Sequence, residues 1–123
     1  MKAHEMFLNS IENKEQFWAE QANNIEWFKK PTNILSEGEN NYPVWFADGE
    51  LNACYLAVDK HVKDGYGDQV AYIYDSPVTE TVQKITFKEL QENVSKLAGG
   101  LQSLGLKKGD TAIIYMPMIP QAA

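Results

Sequence analysis

The sequence contains no arginine. All 11 of its basic residues are lysines, set against 17 acids, for a formal charge of −6. Without guanidinium groups the segment has no planar fork to grip a phosphate or carboxylate bidentately. An anion here has to be met by lysines, by backbone N–H groups or by residues outside the segment. Residues 1–62 hold ten acids and five lysines, residues 63–123 seven and six. The basic stripe that displaces phosphate counterions is therefore missing, which argues against nucleic acid as a partner. The same balance disfavours an anionic membrane surface. Cysteine is nearly absent as well. A lone Cys54 rules out an internal disulfide and a cysteine-built zinc site, and it points to a reducing, cytoplasmic compartment. No apolar run approaches the ~20 residues of a membrane helix, and MKAHEMFLNS lacks the apolar stretch of a secretory signal. Internal repeats and low-complexity tracts are also missing.

What is present looks like an ordinary folded chain. It has 123 residues, 44% hydrophobic and 23% charged, which excludes disordered and collagen-like classes. That length suits one domain or a piece of a larger one. The first quarter reads as helical. Met6, Phe7 and Ile11 lie near one face of a helix over 3–12. Asn13 followed by Gln16 resembles a capping box opening a second helix over 14–25, with Phe17, Trp18, Ala22 and Ile25 inward. Pro31 stops any helix coming from Trp27 and Phe28, and 31–44 reads as loop. Trp45 and Phe46 suggest a short extended piece closing at Asp48-Gly49. A third helix is expected over about 52–64, capped by Asn52, striped by Tyr55, Leu56, Val58 and Val62, and ended by Gly65 and Gly67.

The period then changes. QVAYIYD (69–75) and VQKIT (82–86) read as strands joined by a hairpin. Thr86-Phe87-Lys88-Glu89 is a capping box that starts a helix over 87–104. Phe87, Leu90, Val94, Leu97, Leu101 and Leu104 form its apolar face, and Gly105 is its natural stop. After a turn at Lys107–Asp110, TAIIYM (111–116) is apolar without alternation. Such a run suits a strand covered on both faces of a parallel sheet. The expected class is therefore α/β, with a helical extension, a hairpin, a long helix and a buried-type strand. A helix followed by such a strand is half of an α/β unit, so the chain is expected to be a fragment.

Candidate chemistry is thin. Gly65-Tyr66-Gly67 precedes a strand, whereas a phosphate loop follows one and opens a helix, so a turn is the better reading. Gly99-Gly100 inside the long helix costs about 1 kcal/mol per glycine relative to alanine, and close helix packing explains the pair better than ligand contact. His61 has Asp59, Lys63 and Asp64 nearby in sequence, but i and i+2 residues do not share a helix face and no nucleophile adjoins them. His4 reads as a solvated terminal residue and Cys54 as packing. Lys107-Lys108 reads as a solvated turn. Trp18, Trp27, Phe28, Trp45 and Phe46 suit packing of the N-terminal helices onto a larger body better than a ligand pocket. The expectation is that no catalytic, cofactor-binding or metal-binding residue lies in this segment.

Word order says more than chemistry. WFADGELNACYLAVDKHV (45–62), VAYIYDSPVTET (70–81), ITFKEL (85–90) and GLKKGDTAIIYMPMIPQAA (105–123) together resemble the AMP-forming short-chain acyl-CoA synthetases of the adenylating superfamily. The likeness is nearest to propionyl-CoA synthetases (propionate–CoA ligases), then acetyl-CoA synthetases. FWAEQANNIEWFKKPTNIL (17–35) resembles their N-terminal extension. ITFKEL resembles the superfamily's first core motif, with Phe87 where tyrosine is usual. Leu56, Lys60 and Gln121 stand where asparagine, arginine and glutamate are common. Asp48-Gly49 and DSPVT (75–79) lean towards propionate.

The resemblance implies a ligase. A short carboxylate and ATP give an acyl-adenylate and pyrophosphate, with Mg²⁺ offsetting phosphate charge, and the CoA thiol then displaces AMP. It also implies that the phosphate loop, nucleotide-binding residues and adenylation lysine lie beyond residue 123. Residues 1–58 would be the helical extension and 59–123 the beginning of the AMP-binding domain, structural in role, inactive alone and binding no ATP, CoA or Mg²⁺. The competing reading is a stand-alone interaction module from a truncated or split gene. Either way, an unpaired 111–116 strand is expected to favour a homodimer or edge-strand pairing.

Overall fold

The computed structural model describes residues 3–122. They fall into two compact units that divide between Ala53 and Cys54.

The first unit opens with helices α1 (Ala3–Glu12) and α2 (Lys14–Ala22). Asn13 leaves helical geometry at φ −117°, ψ 43° and separates them. The capping box expected there does not form. Asn13 makes no side-chain cap; its Nδ2 donates back to Asn9 Oδ1 at 2.9 Å, and Gln16 Nε2 donates forward to Glu20 at 3.2 Å. The side chain is held back on α1 through Nδ2, and Oδ1, the atom that would accept from an α2 amide, makes no cap. α2 also ends three residues earlier than expected, at Ala22. Phe17 and Ala22 are buried, at 7% and 3% exposure, and Pro31 is buried with them. Trp18, Ile25, Met6, Phe7 and Ile11 are exposed.

The stretch read as loop contains a small antiparallel hairpin. β1 (Leu35–Glu37) pairs with β2 (Pro43–Trp45) in the register Leu35↔Trp45 to Glu37↔Pro43. Its turn is closed by Gly38 N–H donating to Tyr42 O at 2.8 Å. Asn40 and Asn41 hold φ of 60° and 62°, a left-handed conformation that asparagine tolerates better than most residues. A tight turn follows at the expected Asp48-Gly49, with Gly49 N–H donating to Phe46 O at 2.9 Å. Glu50 then bridges Lys29 in antiparallel fashion.

A helix over 53–66, here α3, starts at the last residue of the first unit and runs into the second, with wide π-type turns at Tyr55–Asp59 and Val62–Tyr66. Val58 is its buried residue, at 8% exposure. Gly65, at φ 90°, breaks the helical run. Strands β3 (Val70–Ser76) and β4 (Thr81–Thr86) then form the expected hairpin, with an irregularity between Val70 and Tyr72. Ile85 is buried at 5% exposure.

Helix α4 (Phe87–Ser103) starts as its capping box requires. Glu89 N–H donates to Thr86 Oγ1 at 3.2 Å, and Thr86 N–H donates to Glu89 Oε2 at 2.9 Å. Two orphan amides are thereby satisfied. Its end is a Schellman turn. Gly105, at φ 99°, donates to Gln102 O at 3.0 Å, and Leu106 N–H donates to Leu101 O at 3.1 Å. Both bonds answer carbonyls that have no partner within the helix. The apolar face is half-covered at Phe87, Leu90, Val94 and Leu101, but Leu97 and Leu104 are exposed. A Cβ at Gly99 or Gly100 would meet nothing within 4 Å, so close packing is not what the glycine pair serves among the described residues.

Lys107–Asp110 forms the expected turn: Asp110 N–H donates to Lys107 O at 3.1 Å, and Lys107 N–H returns to Asp110 Oδ2 at 2.7 Å. The segment 111–116 differs from expectation. It forms no strand, and Ile113, Ile114 and Tyr115 are 90%, 72% and 99% exposed. Its composition favours extended, covered backbone, but a strand exists only where another strand takes its N–H and C=O groups. Among the described residues none pairs with it. No described helix is long and apolar enough to cross a membrane.

Candidate functional site

The second unit gathers most of the titratable residues singled out in the sequence. α3 presents Tyr55, Asp59, Lys60, His61, Lys63 and Asp64 along its turns. The carboxylates and lysines beside His61 are engaged elsewhere. Gln91 Nε2 on α4 donates to Asp59 Oδ1 at 2.7 Å. Lys60 Nζ donates to Asp64 Oδ2 at 2.6 Å. Lys63 Nζ donates to Tyr55 Oη at 3.1 Å and stands 5.8 Å from that ring's centroid. The His61 ring lies against Phe87, centroids 4.5 Å apart and planes at 31°. It is half-buried as a packing side chain on α4. The bond from Lys60, reinforced by its charge, lowers the Asp64 pKa below the usual carboxylate value. An i,i+4 pair at the helix surface is largely screened by solvent and contributes little, so the pair decorates the helix.

The strongest local electrostatic feature lies in the first unit. The Asp48 carboxylate accepts from Thr32 N–H at 3.1 and 3.2 Å, from Thr32 Oγ1 at 2.6 Å and from Asn33 N–H at 3.0 Å. The Thr32 hydroxyl is the largest cause, followed by the Asn33 and Thr32 amides, and together they hold the carboxyl at about 2. Every one of those bonds favours the ionised form. This clamp joins segments 15 and 16 residues apart. Sequence reading found the Asp48-Gly49 turn but not the clamp, because a carboxylate's distant partners leave no local pattern.

Beside the clamp run the aromatic rings. Phe17 meets Trp18 edge-on at 5.2 Å, Trp18 meets Trp45 at 6.3 Å, Trp45 meets Phe46 at 6.0 Å, and Phe46 meets Trp27 at 5.5 Å. Trp27 Nε1–H donates to Ala22 O at 2.8 Å, taking one of the last carbonyls of α2. The rings thus pack on each other and on a helix end within the first unit. Phe28 is separately exposed, at 64%.

The other candidates remain apart. Cys54 is a free, exposed thiol, not the packing residue expected. His4 is exposed on the first turn of α1, and Lys107 and Lys108 are exposed in their turn. Gly65 and Gly67 border the end of α3, with nothing near a Cβ at Gly65. Among the described residues no group of three or more His, Cys, Asp or Glu could hold a metal ion. A surface depression of about 370 Å³ lies at Tyr115, Met116 and Pro117, a lining with no ionisable carboxylate, histidine or lysine. The described groups offer hydrogen bonds and packing, and the arrangement assembles no nucleophile–base pair.

Comparison with known proteins gives the context these side chains lack. Residues 3–57 match the family described as acetyl-coenzyme A synthetase N-terminus, and residues 59–123 match the family described as AMP-binding enzyme. The chain is 53% identical over 119 residues to the mitochondrial acyl-CoA synthetase short-chain family member 3 of Rattus norvegicus, covering 94% of this chain and 17% of that protein. It is 48% identical over 115 residues to an acetyl-coenzyme A synthetase of Methanothrix soehngenii, covering 92% and 17%. It is 42% identical over 120 residues to the acetyl-coenzyme A synthetase of Pseudoalteromonas atlantica, covering 95% and 18%. The chain therefore spans less than a fifth of the length of these relatives.

Proposed function

The chain belongs to the AMP-binding enzyme family, and on that premise we propose that it is the N-terminal, architectural part of an AMP-forming short-chain carboxylate–CoA ligase. The observation that carries this reading is the tandem match, a synthetase N-terminus over 3–57 followed at once by the AMP-binding family over 59–123. In the whole protein a carboxylate oxygen attacks the α-phosphorus of ATP and pyrophosphate leaves. The CoA thiol then attacks the acyl carbon and AMP leaves. ATP and CoA are the co-substrates, and Mg²⁺ offsets phosphate charge as phosphoryl-transfer chemistry requires.

In this reading residues 1–58 are the helical extension and 59–123 begin the adenylating domain. Neither contributes a catalytic, cofactor-binding or metal-binding residue. The absence of arginine, the engagement of Asp59, Lys60, Lys63 and Asp64 with one another's neighbours, and the packing of His61 on Phe87 support that assignment. Asp48-Gly49 and Asp75–Thr79 favour propionate over acetate, the difference of one methylene being worth only about 1–3 kcal/mol in a binding pocket. The lone cysteine supports a reducing compartment, and we place the protein in the cytoplasm. The mitochondrial rat relative makes the organelle the outcome that would replace this placement in cell fractionation.

Carboxylate-dependent ATP–pyrophosphate exchange tests the reading. The 123-residue chain is expected to give none, and exchange by it alone overturns the architectural role. Exchange with propionate exceeding that with acetate is expected of the longer product read from the same gene past codon 123. A stop codon there would instead favour the interaction module, for which the exposed Leu97 and Leu104 of α4 offer a face.

A further inference from the structure

The chain contains two Asp-Gly pairs, Asp48-Gly49 and Asp64-Gly65. This dipeptide is the one most prone to spontaneous isomerisation, because a glycine amide carries no side chain to hinder its attack on the preceding carboxyl carbon. The structure treats the two pairs oppositely. At the first, both participants are occupied: the Asp48 carboxylate accepts bonds from Thr32 and Asn33, and Gly49 N–H donates to Phe46 O at 2.9 Å. Space is lacking too, since a single added carbon on Gly49 would lie 2.8 Å from the Trp27 ring and 3.2 Å from Pro31. At the second, Asp64 is exposed, and its carboxylate accepts from the half-buried Lys60 in the bond described above. Gly65 has left helical geometry at φ 90°, with nothing within 4 Å of a Cβ position.

We infer that Asp64-Gly65 is a site of aspartate isomerisation in the folded protein, a reaction from which Asp48-Gly49 is shielded by its clamp. The reaction needs no co-reactant beyond water. The Gly65 backbone nitrogen attacks Asp64 Cγ, the new N–Cγ bond closes a five-membered succinimide, and the side-chain oxygen departs as water. Water then adds to the ring at the Asp64 main-chain carbonyl and breaks its bond to nitrogen, leaving the chain running through Cβ and Cγ with the main-chain carboxylate free. Mass is unchanged, and the backbone is longer by one methylene at the end of α3. The product is the substrate class of protein-repair methyltransferases, which esterify such displaced carboxylates.

The test is to age the folded 123-residue chain at neutral pH and warm temperature. Isoaspartate is then quantified at each position from digests, by methyltransferase labelling and by fragment ions diagnostic of a β-linked residue. Asp48 must escape its clamp before reacting, so a local opening cost sets the ratio, and at least about ten-fold more product is expected at position 64 than at 48. In concentrated urea the two positions are expected to age at similar rates. Thr32→Val, which removes the hydroxyl bond to Asp48, is expected to raise product at 48, and Asp64→Glu to abolish it at 64. Equal accumulation in the folded state, or more at 48, overturns the inference, as does a ratio unchanged by urea.

Discussion

Replacing Gly49 by alanine is the sharpest test of how the first unit is packed. A Cβ at this position would sit 2.8 Å from Trp27 Cζ3, and 3.2 Å from both Trp27 Cε3 and Pro31 Cβ. The first of these is closer than side-chain carbons tolerate, so something must shift. Trp27 has little freedom to do so. Its Nε1–H is held by Ala22 O at 2.8 Å, and its ring meets Phe46 at 5.5 Å between centroids. Pro31 is buried. Overpacking of this kind costs about 1–3 kcal/mol, and losing the indole bond would add about 1 kcal/mol. With urea slopes of about 1–3 kcal/mol per molar, the transition followed by far-ultraviolet circular dichroism should move down by the order of 1 M. The double variant with Trp27→Leu, which removes the obstructing ring, should recover part of the loss, so the two effects should not add. An unchanged midpoint for Gly49→Ala, or strict additivity with Trp27→Leu, would refute the contact as the reason for glycine here.

Three further outcomes follow from named contacts. The Asp48 pKa is lowered from 3.8 to about 2, so the folded form binds its proton less readily than the unfolded one. Its contribution to stability is full above about pH 4 and is lost as pH falls through the folded value near 2; a carboxyl NMR titration midpoint at the ordinary value would contradict the clamp. Thr86→Ala should lower stability by about 1 kcal/mol through loss of the α4 cap, with faster amide exchange confined to the first turn. Leu104→Lys, at an 86% exposed position, should change stability by less than about 0.5 kcal/mol and reduce any self-association seen by light scattering; a large loss of stability would show that the face is covered.

What could be read from the sequence was what is decided locally. The Thr86–Glu89 box, the Gly105 stop, the Lys107–Asp110 turn and the β3–β4 hairpin each rest on residues within a few positions of one another, and each is where the pattern put it. Asn13 had the right residue types for a cap, yet its side chain found Asn9 instead. The β1–β2 hairpin escaped notice because only three residue pairs hold it and its polar turn reads as loop. The 111–116 run shows the opposite limit, since its composition describes an environment that the described residues do not provide. The Asp48 clamp and the ring-to-ring packing were hidden for the same reason as most tertiary contacts: their partners lie far apart along the chain. Of the side chains weighed as candidates, His61 and Cys54 were identifiable by type alone, and only the structure shows one stacked on Phe87 and the other facing solvent.

The distribution of chromophores gives the molecule two separate optical voices. All three tryptophans, Trp18, Trp27 and Trp45, fall before Ala53, whereas five of the six tyrosines fall after it. Indole emission therefore reports on the first unit alone, and the ring contacts at 5.2–6.3 Å make it sensitive to any loosening there. Tyrosine absorbance is dominated by the second unit. Melting the unlabelled chain while recording both signals would reveal whether its halves come apart together or in turn.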